Sequence, residues 1–376
     1  MGDQILRYIA QQIQLIPDCV FFRMDGDKIA CLIPGGTRQD MEPIYSRISQ
    51  ILKDAPLMSK TDFQLSASCG AVLYPLHGTL LEVLRANAEY ALEQAKLNHR
   101  GSIAVYSEEL HKKSVLSFRL QEVLRKSVSR HFEGFSLYYQ PLFDPNTNCI
   151  FGAEALLRFS TPALDAISPA DFIPVLEETG AINEVGGWVL RTALLQTAKW
   201  RKSCPNFHIS VNASYVQMGR PDFRDLVMRE LKFSGLPADA LILELTESCK
   251  ITDPERLKSD FDFFRSQNID VALDDFGTGY SSIALLRELT PTWIKIDHTF
   301  VASITENPMD QAIIEYILQL CRYAKINVCI EGVETADILR IVRQYQPRLL
   351  QGYYFSKPLP ADVFTELYID SELCVL

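Results

Sequence analysis

Two adjacent carboxylates close one apolar stretch of this chain. Asp270-Val271-Ala272-Leu273-Asp274-Asp275-Phe276-Gly277-Thr278-Gly279-Tyr280-Ser281-Ser282 reads as a strand ending in Asp274 and Asp275, followed by a glycine-spaced turn into a helix. Successive side chains on a strand point to opposite faces, so the two carboxylates share a site only if the strand ends between them. Like charges that close push one carboxyl toward its acid form unless a cation neutralises both. A polar turn between strand and helix would use the same residues, so the decision rests on the rest of the chain.

Other groups that an apolar core would not tolerate unpaired stand at the ends of other apolar runs: Gln140, Glu154, Asn212, Glu244 with Glu247, Lys295 with Asp297, Glu331 with Glu334, and Gln351. Each alone has a plain structural use. Glu154 could be a surface charge, Asn212 a helix cap and Lys295 a snorkelling side chain. Their recurrence at successive strand ends is what points to a site. The nine cysteines are scattered without CxxC spacing, and the six histidines form no ligand pair. Zinc is therefore excluded, and the thiols read as reduced, as in a cytoplasm. A metal would have to take oxygen ligands, which means Mg²⁺, Mn²⁺ or Ca²⁺. A net charge of −10 argues against a nucleic-acid polymer as partner. No apolar run is long enough to span a bilayer, and no signal-peptide pattern follows Met1.

The elements that must position these groups follow from periodicity. From Phe135 onward, apolar runs of strand length alternate with helical patterns: Phe135–Phe143, Cys149–Phe159, Phe207–Asn212, Leu241–Thr246, Ile269–Asp275, Trp293–Asp297, Asn327–Glu331 and Leu349–Phe355. Eight such strands fit an α/β fold, a modified (β/α)8 TIM-like barrel, with the polar strand ends converging on its C-terminal face. Asp144-Pro145-Asn146-Thr147-Asn148 reads as a hairpin turn, which makes the first strand antiparallel to the second. Before the barrel, residues 3–16, about 40–53 and about 79–97 read as helices. Cys19–Arg23, Lys28–Pro34 and about 63–74 read as strands, which gives a smaller α+β domain. The expected organisation is residues 1–106 for that domain, 107–131 for a connecting helix and 132–376 for the barrel.

Residues 134–365 resemble the EAL domain family. The resemblance rests on Glu154-Ala155-Leu156-Leu157-Arg158-Phe159, Asp171-Phe172-Ile173-Pro174, Val211-Asn212, Glu244-Leu245-Thr246-Glu247, Asp274-Asp275-Phe276-Gly277-Thr278-Gly279-Tyr280-Ser281-Ser282, Lys295-Ile296-Asp297, Glu331-Gly332-Val333-Glu334-Thr335 and Gln351-Gly352-Tyr353. It implies hydrolysis of cyclic-di-GMP to the linear dinucleotide pGpG with two Mg²⁺ or Mn²⁺ ions, and Ca²⁺ as an inhibitor. By the same resemblance Glu154, Asn212, Glu244 and Asp274 hold one ion, and Asp274, Asp275 and Glu331 the other. Lys295, with Glu331, acts on the attacking water. Gln140, Leu157, Arg158, Asp297 and Gln351 contact substrate, and Glu247 anchors the loop after Asp275. The departures are mild: Ala213, Ile330, Thr292, and Arg348, an extra charge expected near the pocket.

The N-terminal segment resembles the later part of a GGDEF domain, the diguanylate cyclase fold. Arg23-Met24-Asp25-Gly26-Asp27-Lys28-Ile29, Ala71-Val72-Leu73-Tyr74-Pro75 and Asn87-Ala88-Glu89-Tyr90-Ala91-Leu92-Glu93-Gln94-Ala95-Lys96 carry it. Lys28 stands where that family has a glutamate, no arginine of the inhibitory site stands near Ile16, and a first strand with its metal carboxylate has no counterpart before Asp3. The domain is thus expected to be degenerate and N-terminally incomplete, regulatory and not a cyclase, which weighs against a bifunctional protein. The resemblance further implies a homodimer, an upstream sensor domain, and a cytoplasmic bacterial location with membrane tethering only through a segment outside this chain. The competing reading is a receptor that binds cyclic-di-GMP without cutting it and signals through partner contacts.

Overall fold

The computed structural model describes residues 2–24, 26–54, 65–162, 164–246, 253–277 and 282–370. It divides into two compact units, Met1–Phe118 and Arg119–Leu376. In the first, α1 (Gly2–Ile13) leads to β1 (Val20–Arg23), β2 (Ile29–Leu32), α2 (Arg38–Lys53), β3 (Cys69–Ala71), α3 (Leu81–Asn98) and β4 (Ile103–Val105). Isoleucines at helical spacing fold this unit: Ile9, Ile13 and Ile16 are buried with Leu52 and pack against Phe21. β1 and β2 form the expected antiparallel hairpin, Phe21 opposite Cys31, and β3 runs parallel to β4. The strand expected over about 63–74 is shorter, limited to β3 among the described residues. The boundary between the units falls inside α4 (Glu108–Ser129), where Leu120 and Leu124 are buried in the core of the second unit.

In the second unit β5 (Phe135–Asp144) and β6 (Cys149–Thr161) form a hairpin with Gln140 opposite Glu154. β6 then pairs in parallel with β8 (His208–Asn212), and the sheet continues in parallel through β9 (Leu241–Thr246), β10 (Asp270–Phe276), β11 (Trp293–Ile296), β12 (Asn327–Ile330) and β13 (Leu349–Leu350). β13 pairs antiparallel with β5, Leu350 opposite Phe143. The barrel therefore closes on eight strands, with its first strand antiparallel to both neighbours, as the hairpin turn predicted. β7 (Leu164–Ile167) extends the edge of β6, and β14 (Leu359–Pro360) pairs with β5.

The period of two sorts the strand residues. Leu243, Val271, Leu273, Ile294, Ile296, Val328 and Ile330 belong to the large apolar layer shared with the helices. Leu142, Ile242, Ala272, Trp293, Cys329 and Leu349 form a separate small cluster inside the barrel. The polar strand ends stand on the same inward face, one step toward the C-terminal mouth. The outer ring comprises α5 (Pro169–Thr179), α6 (Ile182–Trp200), α7 (Tyr215–Met218), α8 (Phe223–Ser234), α9 (Pro254–Ser266), α10 (Ser282–Leu289), α11 (His298–Ala302), α12 (Pro308–Ala324), α13 (Ala336–Gln344) and α14 (Ala361–Tyr368). α6 begins six residues before Trp188, where the helical pattern of the sequence becomes legible. Gly186 and Gly187 obscured the pattern, and Gly186 is there for packing: a Cβ on it would lie 1.8 Å from Gln217 Nε2.

Candidate metal centre

Lys295 is the hub. It comes from the middle of β11, is 3% exposed, and donates through Nζ to Glu154 Oε2 at 2.9 Å and Glu244 Oε2 at 3.0 Å. Asp274 Oδ1 lies 3.3 Å away and Glu331 Oε1 2.7 Å away. Four carboxylates from β6, β9, β10 and the residue after β12 thus meet one ammonium. Around them, Asn212 Nδ2 donates to Glu154 Oε1 at 2.8 Å. Gln351 Nε2 donates to Glu154 Oε2 at 2.8 Å and to Gln140 Oε1 at 3.0 Å. Gln140 in turn donates to the Ser356 carbonyl at 3.1 Å. Sequence distances from 21 residues (Asp274 to Lys295) to 216 (Gln140 to Ser356) separate these partners, so only the closed barrel brings them together.

Asp274 and Asp275 do meet at one site, but not because the strand ends between them. β10 continues through Phe276, and Asp275 itself adopts a left-handed backbone with φ of 53° while the register with β11 slips between Leu273 and Phe276. This irregularity breaks the strict alternation of faces, as a bulge does. A carboxylate oxygen from each of Glu154, Glu244 and Asp274, and separately from each of Asp274, Asp275 and Glu331, all lie within 4.8 Å of one another. The two triads share Asp274.

The electrostatics ask for more positive charge than Lys295 supplies. Burial alone would lower the Lys295 ammonium, but Asp274, Glu154, Glu244 and Glu331 hold its proton well above the ordinary lysine value. Burial pushes Glu154 up, yet the Lys295 charge and hydrogen bonds from Gln351, Lys295 and Asn212 overcome it and leave this carboxylate below its usual range. The others go the opposite way. Burial raises Glu244 well above a normal glutamate, Asp274 to about 6 and Glu331 to about 8, with the neighbouring carboxylates adding to the effect. Burial, then Asp297, raises Asp275. Crowded carboxylates of this kind accept a hard cation readily. Gln351 Oε1 is a further oxygen acceptor, buried and without a hydrogen-bond partner among the described residues. The donor set therefore fits Mg²⁺ or Mn²⁺.

The remaining sequence candidates are placed less centrally. Leu157 lies on the face of β6 opposite Glu154 and packs against the main core; its carbonyl accepts from Arg158 Nη1 at 2.9 Å. Arg158 extends over the Tyr138 ring, 5.7 Å from its centroid. Asp297 is buried and caps α11, accepting from the Thr299 backbone N–H at 2.9 Å and from His298 Nδ1 at 2.9 Å. Glu247 lies outside the described residues. Arg348 is not at the mouth: it pairs with Asp144 and covers the Phe151 ring, at the end of the barrel where β13 begins. Ser210, which hydrogen-bonds Glu244, and Cys329, buried opposite Lys295 in register, were not read from the sequence. The signal was available, since each stands two residues before a polar strand end on the inward face.

A parallel barrel with its first strand inverted, and a lysine and five carboxylates at the C-terminal ends of its strands, belongs to the (β/α)8 class whose chemistry sits at that mouth. The chain belongs to the EAL domain family, which matches residues 121–358. Residues 1–102 match the diguanylate cyclase GGDEF domain. Among curated relatives, the cyclic di-GMP phosphodiesterase PdeR of Escherichia coli K12 is 32% identical over 98% of this chain and 55% of its own length. The cyclic di-GMP phosphodiesterase NbdA of Pseudomonas aeruginosa is 29% identical over 97% of this chain and 47% of its own. The chain thus spans about half the length of the curated relatives it matches. Among solved structures, the PaMucR phosphodiesterase in complex with c-di-GMP superposes with a TM-score of 0.61 at 32% identity, covering 65% of this chain and 99% of that one. Among the described residues no helix is long and apolar enough to cross a membrane.

Proposed function

We propose that this chain hydrolyses cyclic-di-GMP to linear pGpG, using two Mg²⁺ or Mn²⁺ ions. The observation that carries the proposal is the convergence of Lys295, Glu154, Glu244, Asp274 and Glu331, together with two carboxylate triads that share Asp274. Glu154, Asn212, Glu244 and Asp274 would hold one cation, and Asp274, Asp275 and Glu331 the other. When bound, such a pair neutralises the phosphodiester and lowers the pKa of a bound water toward about 7–9. Asn212 and Gln351 fix Glu154 by donating to both of its oxygens. Lys295, surrounded by four carboxylates, keeps its proton and acts by charge and by orienting the attacking water. Glu331, at the rim beside Lys295, is placed to share that water. Arg158, Gln140, Gln351, Asp297 and the Leu157 backbone are the groups proposed to contact the dinucleotide.

The first unit is proposed to regulate this activity without making cyclic-di-GMP itself. Lys28, at the hairpin position where a cyclase needs a metal-binding carboxylate, would repel Mg²⁺. The test of the hydrolase reading is incubation of the full chain with cyclic-di-GMP and Mg²⁺, with the products separated by chromatography. Linear pGpG, lost on chelation of the metal, is the expected result. Substrate that is bound but returned intact would assign the chain to the receptors instead.

A further inference from the structure

Three cysteines of the first unit meet where its hairpin begins. Phe21 stands opposite Cys31 across β1 and β2, and Cys19, two residues before Phe21, shares that face. The thiols of Cys19 and Cys31 are thus diagonal neighbours, and they are hydrogen-bonded to each other. Cys69 of β3 lies near enough to act on Cys31 by charge. Cys31 is exposed, and Cys19 is half-buried against the isoleucine core of the unit. Strand pairing begins only at Val20, and Cys19 follows Asp18, whose φ is 59°. Cys19 therefore lies outside the ladder. Its sulfur can close from hydrogen-bond contact to the about 2 Å of a disulfide without breaking a pair between the strands.

The two thiols differ in what they do for each other. Partial burial, then the charge and hydrogen bond of Cys19, push Cys31 up to about 12. Cys31 therefore keeps its proton and donates it, and Cys19 Sγ accepts. A hydrogen bond accepted by sulfur favours the thiolate, so Cys19 is the thiol that attacks and Cys31 the one that follows. Cys321 and Cys329 of the second unit are buried instead, and burial pushes both of their thiols up, the setting of an inert cysteine. A thiol pair in contact and open to solvent is the opposite case. In a reducing compartment a disulfide formed from such a pair is transient and redox-sensing.

We propose that Cys19 and Cys31 form a reversible modification site, oxidised by a peroxide to an intramolecular disulfide. The Cys19 sulfur attacks one oxygen of hydrogen peroxide, the O–O bond breaks, and the other oxygen leaves as water, with Cys19 now a sulfenic acid. The Cys31 sulfur then displaces that hydroxyl, the S–O bond breaks, and the Cys31 proton leaves with it as a second water. The two thiols lose two electrons and two protons, and the peroxide takes up both. The new bond fixes the hairpin, whose Phe21, Phe22, Arg23 and Ile29 face Arg7 and Gln14 of α1 across a cavity of about 290 Å³. The proposal does not rest on the catalytic reading, and its test reads no turnover. The folded chain is treated with hydrogen peroxide, its remaining thiols are alkylated, and trypsin is added. Cleavage after Arg7, Arg23, Lys28 and Arg38 puts the two cysteines in separate peptides, 8–23 and 29–38. Mass spectrometry finds these peptides joined, two hydrogens lighter than their sum, and dithiothreitol separates them. In Cys31→Ser the joined species is lost and Cys19 is trapped as a sulfenic acid by dimedone. A treated wild type with no joined species, Cys31 joined to Cys69 instead, or joining only after unfolding in urea would each overturn the proposal.

Discussion

Lys295 holds together four carboxylates that would otherwise repel one another, and the cations proposed for the site compete with it for the same oxygens. Removing its charge should therefore separate catalysis from metal binding. Lys295→Met should reduce turnover by about a thousandfold, in line with the loss of a preorganised charge at a reacting group. Its affinity for Mn²⁺, followed by calorimetry, should be equal to or tighter than that of the wild type. Weaker Mn²⁺ binding would mean that Lys295 organises the carboxylates more than it competes for them. At this scale much was legible. Glu154, Asn212, Glu244, Asp274, Lys295, Glu331 and Gln351 are polar groups at the ends of apolar runs, and burial demands that such groups find partners. Asp275 was legible as a participant but not in its backbone, because a left-handed residue inside a strand leaves no mark in an Asp-Asp pair. Leu157 and Asp297 show the opposite limit. Their motifs mark the positions, while the strand alternation turns Leu157 toward the main core and the start of α11 makes Asp297 a helix cap.

The elements matter through the places where they touch. Gly352 follows Gln351 directly, and a Cβ on it would lie 2.1 Å from the Val333 carbonyl and 2.3 Å from the Val333 N–H. The same contact is tied by Val333 N–H donating to the Gln351 carbonyl at 3.1 Å. Gly352→Ala should therefore cost about 1–3 kcal/mol in urea unfolding and also lower turnover, because the shift displaces Gln351 from Glu154. A variant with wild-type stability and activity would show that the segment after β12 is free to yield. The sequence showed seven of the eight barrel strands to within about two residues, the usual scatter of such boundaries. It extended the last strand to Phe355, although pairing stops at Leu350, since the aromatic run after Gly352 has strand composition without a partner. The outer helices α5 and α14 are short and carry internal or flanking prolines, so periodicity alone did not reveal them.

For the whole molecule, the order of strands did what local pattern could not. The hairpin turn at Asp144–Asn148 inverts the first strand and sets Gln140 beside Glu154, and closure through Leu350 and Phe143 then brings Gln351 to the same pair. The first unit keeps the hairpin and helices of its family but carries Lys28. The chain incubated with GTP and Mg²⁺ should yield no cyclic-di-GMP by chromatography, and detectable product would restore the bifunctional reading. The most direct test of the account compares the wild type with Glu154→Gln, measuring binding and cleavage of cyclic-di-GMP in the same preparation with Mg²⁺. The account predicts linear pGpG from the wild type, and from Glu154→Gln a folded protein that fails to cut. A Glu154→Gln protein that hydrolyses cyclic-di-GMP at the wild-type rate would contradict it.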